Sequence, residues 1–387
     1  MPDDAPETVA KLASSIAAVP AAEWDACAGA ANPFLSHAFL KALEESGSVG
    51  AGTGWRPVHL LLEDAGGRLL GAVPLYLKSH SWGEYVFDQG WAEAWERAGG
   101  RYYPKLQAAV PFTPVPGRRL LSRAGADAPA VRALLARALI AAAEQLEVSS
   151  AHVTFAAPED IEALSAAGFL TRTGVQFHWE NQGWRSFEEF LSALSSRKRK
   201  AIRKERASVA EAGVTVRALS GAEITSKHWD AFFRFYISTS DRKWGSPYLT
   251  REFFDLLGAA LGEKVVLMMP ERNGRPIAGA LNLKGADTLY GRNWGCSADV
   301  PFLHFEACYY QAIDYAIAHG LRRVEAGAQG EHKIQRGYLP VATHSAHWIA
   351  ERSFRAAVAD FLERERRAIT QEITGLAEFS PFRKADC

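Results

Sequence analysis

Two stretches of the chain share one pattern: VHLLLEDAGGRLLGAVPLYL at Val58–Leu77 and VVLMMPERNGRPIAGALNL at Val265–Leu283. Each consists of an apolar strand, a charged turn ending in Gly-Arg and a second apolar strand. The turn residues Gly66-Gly67 and Asn273-Gly274 favour tight hairpins because they adopt positive φ at little cost. The two hairpins are separated by roughly half of the 387-residue sequence. The repeat therefore predicts a duplicated domain.

The elements that follow each hairpin also come in a similar order. Amphipathic and alternating patterns predict helix, strand, helix, strand in the first half and helix, strand, strand in the second. The order predicts an α/β (α+β) fold in which each copy has a mixed, largely antiparallel sheet flanked by helices. The predicted segments are Pro129–Glu147, His152–Ala156, Pro158–Ala167 and Gly174–Trp179, then Phe305–His319, Arg323–Ala326 and Ala342–Ile349.

The composition is that of a globular protein, with 48% apolar and 23% charged residues. A chain of this length usually divides into two domains. Lys and Arg balance Asp and Glu at 44 each, so any attraction to polyanions must be local. The cysteines lack ligand or disulfide spacing, and the acidic N-terminus lacks the basic segment of a signal peptide. Because no apolar run reaches about 20 residues, we expect a soluble, cytoplasmic protein without membrane insertion.

A helical connector separates the two copies. Ser186 and Glu189 match the capping-box pattern that begins a helix, and a basic run follows until Gly213. Helical spacing of apolar residues also predicts a terminal helix over Ser353–Glu378. We therefore predict a first domain over residues 1–183, a basic connecting helix over 184–213 and a second domain over 214–387.

Several motifs resemble those of the FemAB-like family, which is related to the Fem-type peptidyltransferases. The most specific is GAQGEHKIQRGYLP at Gly327–Pro340, followed by THSAHW at Thr343–Trp348. The connector Ser186–Val216 resembles the segment that joins the two halves of Fem-type enzymes. HFEACYYQAIDYAIAHGL at His304–Leu321 and NPFLSHAFLKALEESG at Asn32–Gly47 also fit. The resemblance covers nearly the whole chain and implies two tandem GNAT-like domains, that is, two copies of the acyl-CoA N-acyltransferase fold.

The resemblance also implies an N-acyltransferase. Fem-type enzymes move an aminoacyl group from aminoacyl-tRNA to an amine of a peptidoglycan precursor, so a peptide or small-molecule amine is the implied acceptor. Two other interpretations stay open. One is an acyl-CoA-dependent N-acetyltransferase with an atypical phosphate loop, and the other is a non-catalytic module that binds peptidoglycan precursors or RNA. The sequence does not indicate the oligomeric state.

The candidate acyl donors are an aminoacyl-tRNA and an acyl-CoA. Acetyl-CoA-dependent GNAT enzymes carry a glycine-containing loop whose N–H groups hold the pyrophosphate. The corresponding segment of the second half, Ser297–Phe305, has no glycine and carries Asp299, which would repel phosphate. In the first half, Val110–Leu121 has one glycine, and its prolines donate no N–H. These departures favour a donor other than acetyl-CoA, and no further cofactor is implied.

Amine attack on an ester or thioester needs a base, donors to the oxyanion and a cavity that excludes water. Glu325, Glu331 and His332 are the candidate catalytic residues. Glu325 ends an apolar strand, where a carboxylate can face a cleft. The other two lie in a loop between glycines, and such loops often position functional groups. The alternative is a solvated surface turn with ordinary ion pairs.

The candidate substrate-binding residues come from several segments. The strand Tyr290–Gly295 has glycines that suit a bulge, which would present its polar and aromatic residues to the acyl group. Glu306 lies near a helix N-terminus, where it could bind an amine. His344 and His347 lie three apart on a strand and face opposite sides, so no metal site is predicted. The candidates are Arg292, Asn293, Trp294, Glu306, Lys333, Arg336 and His347.

The run from Arg197 to Arg206 holds seven positive charges and one negative charge. At helical spacing Arg199, Arg203 and Arg206 share one face, which would bind a polyanion such as tRNA or a phosphorylated lipid-linked precursor. The alternative is a solvated helix face without a ligand.

Overall fold

The chain packs into two compact units in a computed structural model, which describes residues 8–243, 247–327 and 330–383. The first unit comprises Met1–Gly174 with Ala342–Thr370, and the second comprises Val175–Val341 with Gln371–Cys387. The units are interleaved in sequence because each takes a strand from the other half of the chain. The division at 1–183, 184–213 and 214–387 is sequential and stays a prediction.

The first unit holds two sheets. One has the order β1-β3-β4-β7, and the other has β2, β5, β6 and β8 together with the later part of β16. The strands are β1 (Thr8–Ala13), β2 (Trp55–Pro57), β3 (His59–Asp64), β4 (Leu69–Val73), β5 (Leu75–Lys78), β6 (Lys105–Ala108), β7 (Leu121–Ser122), β8 (Ser150–Ala156) and β16 (Leu339–Ile349). The helices are α1 (Ala21–Ala28), α2 (His37–Glu45), α3 (Gln89–Arg97), α4 (Ala128–Gln145) and α5 (Pro158–Ala166).

The second unit holds one sheet of order β10-β11-β13-β14-β15-β9. Its strands are β9 (Leu170–Glu180), β10 (Val214–Ser220), β11 (Val265–Arg272), β12 (Arg275–Pro276), β13 (Ala278–Lys284), β14 (Thr288–Cys296) and β15 (Arg323–Glu325). Its helices are α6 (Phe187–Ala193), α7 (Ser196–Glu211), α8 (Ser226–Lys243), α9 (Arg251–Leu261), α10 (Leu303–Phe305) and α11 (Gln311–Ala318). A last helix, α12 (Arg352–Ala377), begins in the first unit and ends in the second.

Both predicted hairpins are present. β3 and β4 pair antiparallel around Gly67, which has a φ of 78°. In the second copy, Asn273 and Gly274 have φ values of 52° and 68°, so both turn residues adopt the left-handed conformation that a two-residue hairpin needs. The alternating mixture of helices and antiparallel strands confirms the predicted α/β fold.

One predicted helix differs from the structure. The segment predicted as a single helix over Phe305–His319 is interrupted by a π-turn at Glu306–Tyr310, which separates α10 from α11. A π-turn inserts one extra residue into the helical repeat and shifts the side chains that follow it.

The connector packs into the core of the second unit. The Ser186 hydroxyl accepts a hydrogen bond from the Glu189 N–H at 3.1 Å, as the capping pattern predicts. The Glu189 carboxylate accepts from the Arg185 N–H at 2.8 Å, one residue before the cap. Phe190 of α6 is fully buried and contacts several aromatic rings at centroid distances of 5.2–6.3 Å. These rings belong to Trp179, Trp184, Phe187 and Phe382.

We expect Phe190→Ala to lower the free energy of unfolding by about 3–5 kcal/mol, because it removes a fully buried ring and leaves a cavity. Phe379→Ala is the matched control, since that ring is 63% exposed and should change stability by less than about 0.5 kcal/mol. Urea denaturation followed by tryptophan fluorescence measures both variants. Equal losses in the two variants would contradict the packing of the connector.

Candidate functional site

Two parallel strands of the second unit diverge at Tyr290 and Glu325. β14 and β15 pair over only three positions, from Thr288↔Arg323 to Tyr290↔Glu325. β15 ends there, whereas β14 continues to Cys296 and pairs with β13 on its other side. Within the described residues, no strand pairs this edge of β14 beyond Tyr290. Beyond Tyr290 this edge of β14 therefore adjoins other parts of the unit and not a further strand.

A bulge lies at the point of divergence. Ala280 pairs with Trp294 and Asn282 with Gly291, so β14 places two residues, Arg292 and Asn293, where β13 places one. The predicted bulge is thus present. It breaks the alternation of side chains along β14 and directs consecutive residues toward the open edge.

A cavity lies against this bulge. Its volume is about 70 Å³. Its walls come from the strands β13 and β14, the end of β15 and the turn between α10 and α11. The lining residues are Ala280, Leu281, Asn282, Gly291, Arg292, Asn293, Trp294, His304, Cys308, Tyr309 and Ala326. Three of the predicted substrate-binding residues, Arg292, Asn293 and Trp294, are among them.

α10 and the π-turn after it bring to the cavity three side chains that the sequence pattern did not single out. His304, Cys308 and Tyr309 line the wall opposite the strands, and the His304 ring lies 5.4 Å from that of Trp294. π-turns occur frequently at functional sites because they place side chains where a regular helix cannot. The spacing of four between His304 and Cys308 was the available sequence signal, because residues four apart share one face of a regular helix. Tyr309 would lie on a different face of such a helix, so the sequence did not predict its place in the cavity lining.

Glu325 lies next to the cavity on the other face of the sheet. Its neighbour Val324 belongs to the hydrophobic core, and successive strand residues point to opposite faces. The carboxylate is 5% exposed and lies 4.0 Å from His178 Nδ1 and 3.8 Å from the Arg323 guanidinium. Its Oε2 atom has no hydrogen-bond partner among the described residues. The following residue, Ala326, lines the cavity.

The environment of Glu325 changes its proton affinity. Burial raises the pKa of Glu325 to about 8, although the positive charge of Arg323 opposes this shift. Burial lowers the pKa of His178 to about 3, so this imidazole is neutral at pH 7 and gives Glu325 no full counter-charge. Glu325 is therefore a carboxyl group that exchanges its proton near neutral pH, which suits acid–base chemistry.

The predicted loop residues separate into three environments. Glu331 is exposed and is not part of the cavity lining. His332 is also exposed, but its Nε2 atom lies 2.9 Å from the hydroxyl of the cavity residue Tyr309. Lys333 is buried and donates from Nζ to the Gly327 carbonyl at 2.9 Å. Burial lowers the pKa of Lys333 to about 8.

Arg336 fixes the loop. Its guanidinium donates to the Glu205 carboxylate at 2.9 Å and to the His332 carbonyl at 2.8 Å. It also lies 3.4 Å from the centre of the Phe305 ring. These contacts favour a positioning role for Arg336 over direct substrate binding.

Glu306 and Arg206 neutralise each other. The Arg206 guanidinium donates to Glu306 at 3.0 Å and to Asp314 at 2.7 Å, and Gln311 donates to Glu306 at 2.7 Å. Glu306 is 5% exposed and does not line the cavity. The geometry favours a structural ion pair over the amine-binding role predicted for Glu306 and the anion-binding role predicted for Arg206.

The rest of the basic run lies on α7. Arg203 pairs with Glu188 at 2.5 Å while both side chains stay more than half exposed. Arg199 is partly exposed, and Arg197, Lys200 and Lys204 are exposed. Anion binding by Arg199 and Arg203 therefore stays a prediction, and the exposed positive charges of α7 are its structural basis.

His347 belongs to the first unit, whereas the cavity belongs to the second. Its Nδ1 atom lies 2.7 Å from Nδ1 of His152, and its ring meets Trp91 edge-on at 5.0 Å. Burial lowers the pKa of His347 well below its usual range, so the imidazole is neutral. The structure thus does not bring His347 together with the cavity residues. It places His347 beside a buried ionic cluster that the sequence did not reveal, in which Lys105 binds Ser81, Glu84 and Asp88.

Two general features of the described residues bear on the type of site. No group of three or more His, Cys, Asp and Glu side chains there has an arrangement that could hold a metal ion. Among the same residues, no helix combines the length and apolar character required to cross a bilayer.

Comparison with known proteins gives the family and the fold. The family model FemAB-like, described as peptidoglycan biosynthesis/recognition, matches residues 15–384. No curated protein matches the chain in sequence. Among solved structures, FemX is similar with a TM-score of 0.55 and 12% identity, over 86% of this chain and 96% of that chain.

Two further structures are similar. L-PGS from Bacillus licheniformis has a TM-score of 0.52 and 11% identity, over 86% of this chain and 97% of that chain. A tandem GNAT protein from the clavulanic acid biosynthesis pathway has a TM-score of 0.47 and 12% identity, over 89% of this chain and 99% of that chain. Because the family model spans almost the whole sequence, the chain belongs to the FemAB-like family, and its fold consists of two tandem GNAT-like domains.

Proposed function

We propose that the protein is an N-acyltransferase that moves an acyl or aminoacyl group from an activated ester to an amine. The observation that carries this proposal is the divergence of β14 from β15 beside a cavity lined by a bulge. Such an opening accepts a planar acyl group alongside the free edge of a strand. A backbone N–H group of β14 beside the bulge then donates to the acyl carbonyl and stabilises the oxyanion formed during attack.

Glu325 is the proposed base. The amine nitrogen attacks the acyl carbonyl, the N–C bond forms, and the ester C–O bond breaks. The ammonium proton released in this step passes to the ionised fraction of Glu325, which grows as pH approaches 8 and which directly precedes the cavity residue Ala326. A carboxylate with a pKa of about 8 is a stronger base than an ordinary one, since its proton affinity is closer to that of an amine.

The proposed donor is an ester attached to a polyanion, such as aminoacyl-tRNA. The segment 297–302 before α10 has no glycine and includes Asp299 and Pro301, which disfavours the cradling of a CoA pyrophosphate. The exposed positive charges of α7 suit the phosphates of a nucleic acid. The family description, peptidoglycan biosynthesis/recognition, supports a peptidoglycan-related peptide amine as the acceptor. Transfer from acyl-CoA, or binding without turnover, would be the alternative results of the experiments below.

We expect Glu325→Gln to lower kcat by about 100-fold or more, because the ammonium proton then has no acceptor. Mass spectrometry would follow transfer from alanyl-tRNA to a lysine-containing precursor peptide. Glu331→Gln is the matched control and should keep most of its activity, because Glu331 is exposed, whereas Glu325 is buried and directly precedes the cavity residue Ala326. Full turnover by Glu325→Gln would exclude this base.

The same substitution should change the pH dependence of stability. The folded chain keeps a proton on Glu325 between the ordinary carboxyl pKa of 4.5 and a pKa of about 8, whereas the unfolded chain releases it. The wild type therefore loses stability as pH rises through this window. Relative to the wild type, Glu325→Gln should gain up to about 1.4 kcal/mol of unfolding free energy per pH unit. Urea denaturation at several pH values measures the gain, and parallel curves for the two proteins would contradict burial of an ionisable Glu325.

The exposed face of α7 provides the third prediction. Combined Arg197→Gln, Lys200→Gln and Lys204→Gln should weaken tRNA binding and reduce the slope of log K against log salt by about 2–3, roughly one per lost phosphate contact. The control removes three exposed charges elsewhere, by Lys227→Gln, Arg272→Gln and Arg275→Gln. An unchanged slope in the α7 variant would mean that this helix face is merely solvated.

A further inference from the structure

Phe302 combines an exposed aromatic ring with a strained backbone. It immediately precedes α10, and its side chain is 39% exposed. Its φ of 66° lies in the left-handed region, which a bulky residue occupies only at a cost in free energy. Among the described residues, no other large apolar side chain is both exposed and on a backbone of positive φ. Such strain is typical of residues that serve a ligand, because stability alone would favour glycine at this position.

A run of aromatic rings connects Phe302 to the cavity. The Phe302 ring lies 6.4 Å from that of Phe305, and Phe305 stacks on Tyr309 at 6.0 Å with an angle of 19° between the rings. Tyr309 lines the cavity, as does His304, which follows Phe302 by two residues in the chain. Phe302 is therefore the outer member of an aromatic wall that extends into the cavity.

The next ring of this wall is already covered. The Arg336 guanidinium lies 3.4 Å from the centre of the Phe305 ring, and the His332 ring lies 5.6 Å from it. Phe302, in contrast, has a single ring contact within the described part of the chain, and that contact is with Phe305. Aromatic rings add partners by offset stacking on an open face. The exposed part of Phe302 is thus the place on the wall where a further flat group can stack.

The charges near Phe302 limit what this flat group can be. Asp299 is exposed three residues earlier, so a phosphate or carboxylate directly on the ring would be repelled. Exposed cations lie instead on α7, whose Glu205 binds Arg336, the residue that covers Phe305. A flat, uncharged group attached to a phosphate chain fits both features, and a nucleobase is such a group. Stacking of bases on aromatic side chains beside a cationic surface is a common way to hold single-stranded nucleic acid.

We propose that Phe302 stacks against the nucleobase of the donor nucleoside that carries the acyl ester, and that this contact positions the ester at the cavity. The inference rests on the proposed transfer from an aminoacyl-tRNA. It adds recognition of the terminal base to the attraction between α7 and the phosphates. The base, and not only the charge of the donor, then determines affinity. A donor that carries the same ester without a base loses the contact with Phe302.

The test compares two alanyl esters as donors. One is 3′-O-alanyl adenosine, and the other is O-alanyl 1,4-anhydroerythritol, which keeps the vicinal diol of the ribose ring but has no base. The acceptor is N-acetyl-lysyl-D-alanyl-D-alanine. The wild type should prefer the adenosine ester by about 10-fold or more in kcat/KM, and Phe302→Gly should reduce this preference to less than about 3-fold through KM. Phe302→Trp should keep the preference because it keeps an aromatic face.

Glycine is the informative replacement because it separates stacking from packing. Glycine adopts a φ of 66° without strain, so Phe302→Gly should keep a urea midpoint close to that of the wild type although it loses a partly buried ring. Phe361→Ala is the matched control, since that ring is also 39% exposed but belongs to the first unit. It should leave the preference between the two esters unchanged.

The outcomes distinguish this inference from the proposed function. A preference that survives Phe302→Gly, or an equal loss with the two esters, would overturn the stacking role while leaving the acyltransferase proposal intact. A wild type that uses both esters equally well would also overturn it. If the wild type transfers alanine neither from these esters nor from alanyl-tRNA, the proposed function fails and the stacking role fails with it.

Discussion

The short parallel pairing of β14 with β15 is the constraint on which the candidate site depends. Three pairs hold the strands together, and the bulge at Arg292 and Asn293 then lets β14 continue while β15 ends. A sheet normally satisfies its backbone groups by adding another strand. Here the edge adjoins a cavity instead, and the bulge residues Arg292 and Asn293 line it.

The charges of the second unit follow from this arrangement. The cationic and acidic side chains around the cavity are mostly neutralised in pairs, as with Arg206 and Glu306 or Arg336 and Glu205. Glu325 differs because the Arg323 guanidinium lies 3.8 Å from it, beyond hydrogen-bond distance, and its neighbouring imidazole is neutral. An ionised carboxylate is costly in such a place, which is why this group holds its proton to higher pH. Glu325 therefore differs from Glu306 and Glu205, whose carboxylates are held in ion pairs.

Much of the fold could be predicted from local sequence signals. The turns at Gly66-Gly67 and Asn273-Gly274 act over a few residues, so they identified both hairpins, and the glycines of β14 indicated its bulge. The cavity wall formed by His304 and Tyr309 was not predictable, because one π-turn changes the helical register without a distinct sequence mark. The pairing of Arg206 with Glu306 joins residues 100 positions apart, and no local pattern reveals such a contact. Likewise, β16 carries His347 into the first unit although its sequence position suggests the second.

The exchange of strands between the two halves of the sequence has a consequence for biosynthesis. β8 of the first unit pairs with residues 344–349, so its sheet lacks a member until the ribosome has reached residue 349. Contacts of such high sequence separation slow folding because a long loop must close before they form. The part of the first unit that is translated first therefore cannot complete its sheet until residues 344–349 have been synthesised. Gene fragments cut at the midpoint would each encode an incomplete sheet with an unpaired edge, a feature that promotes aggregation.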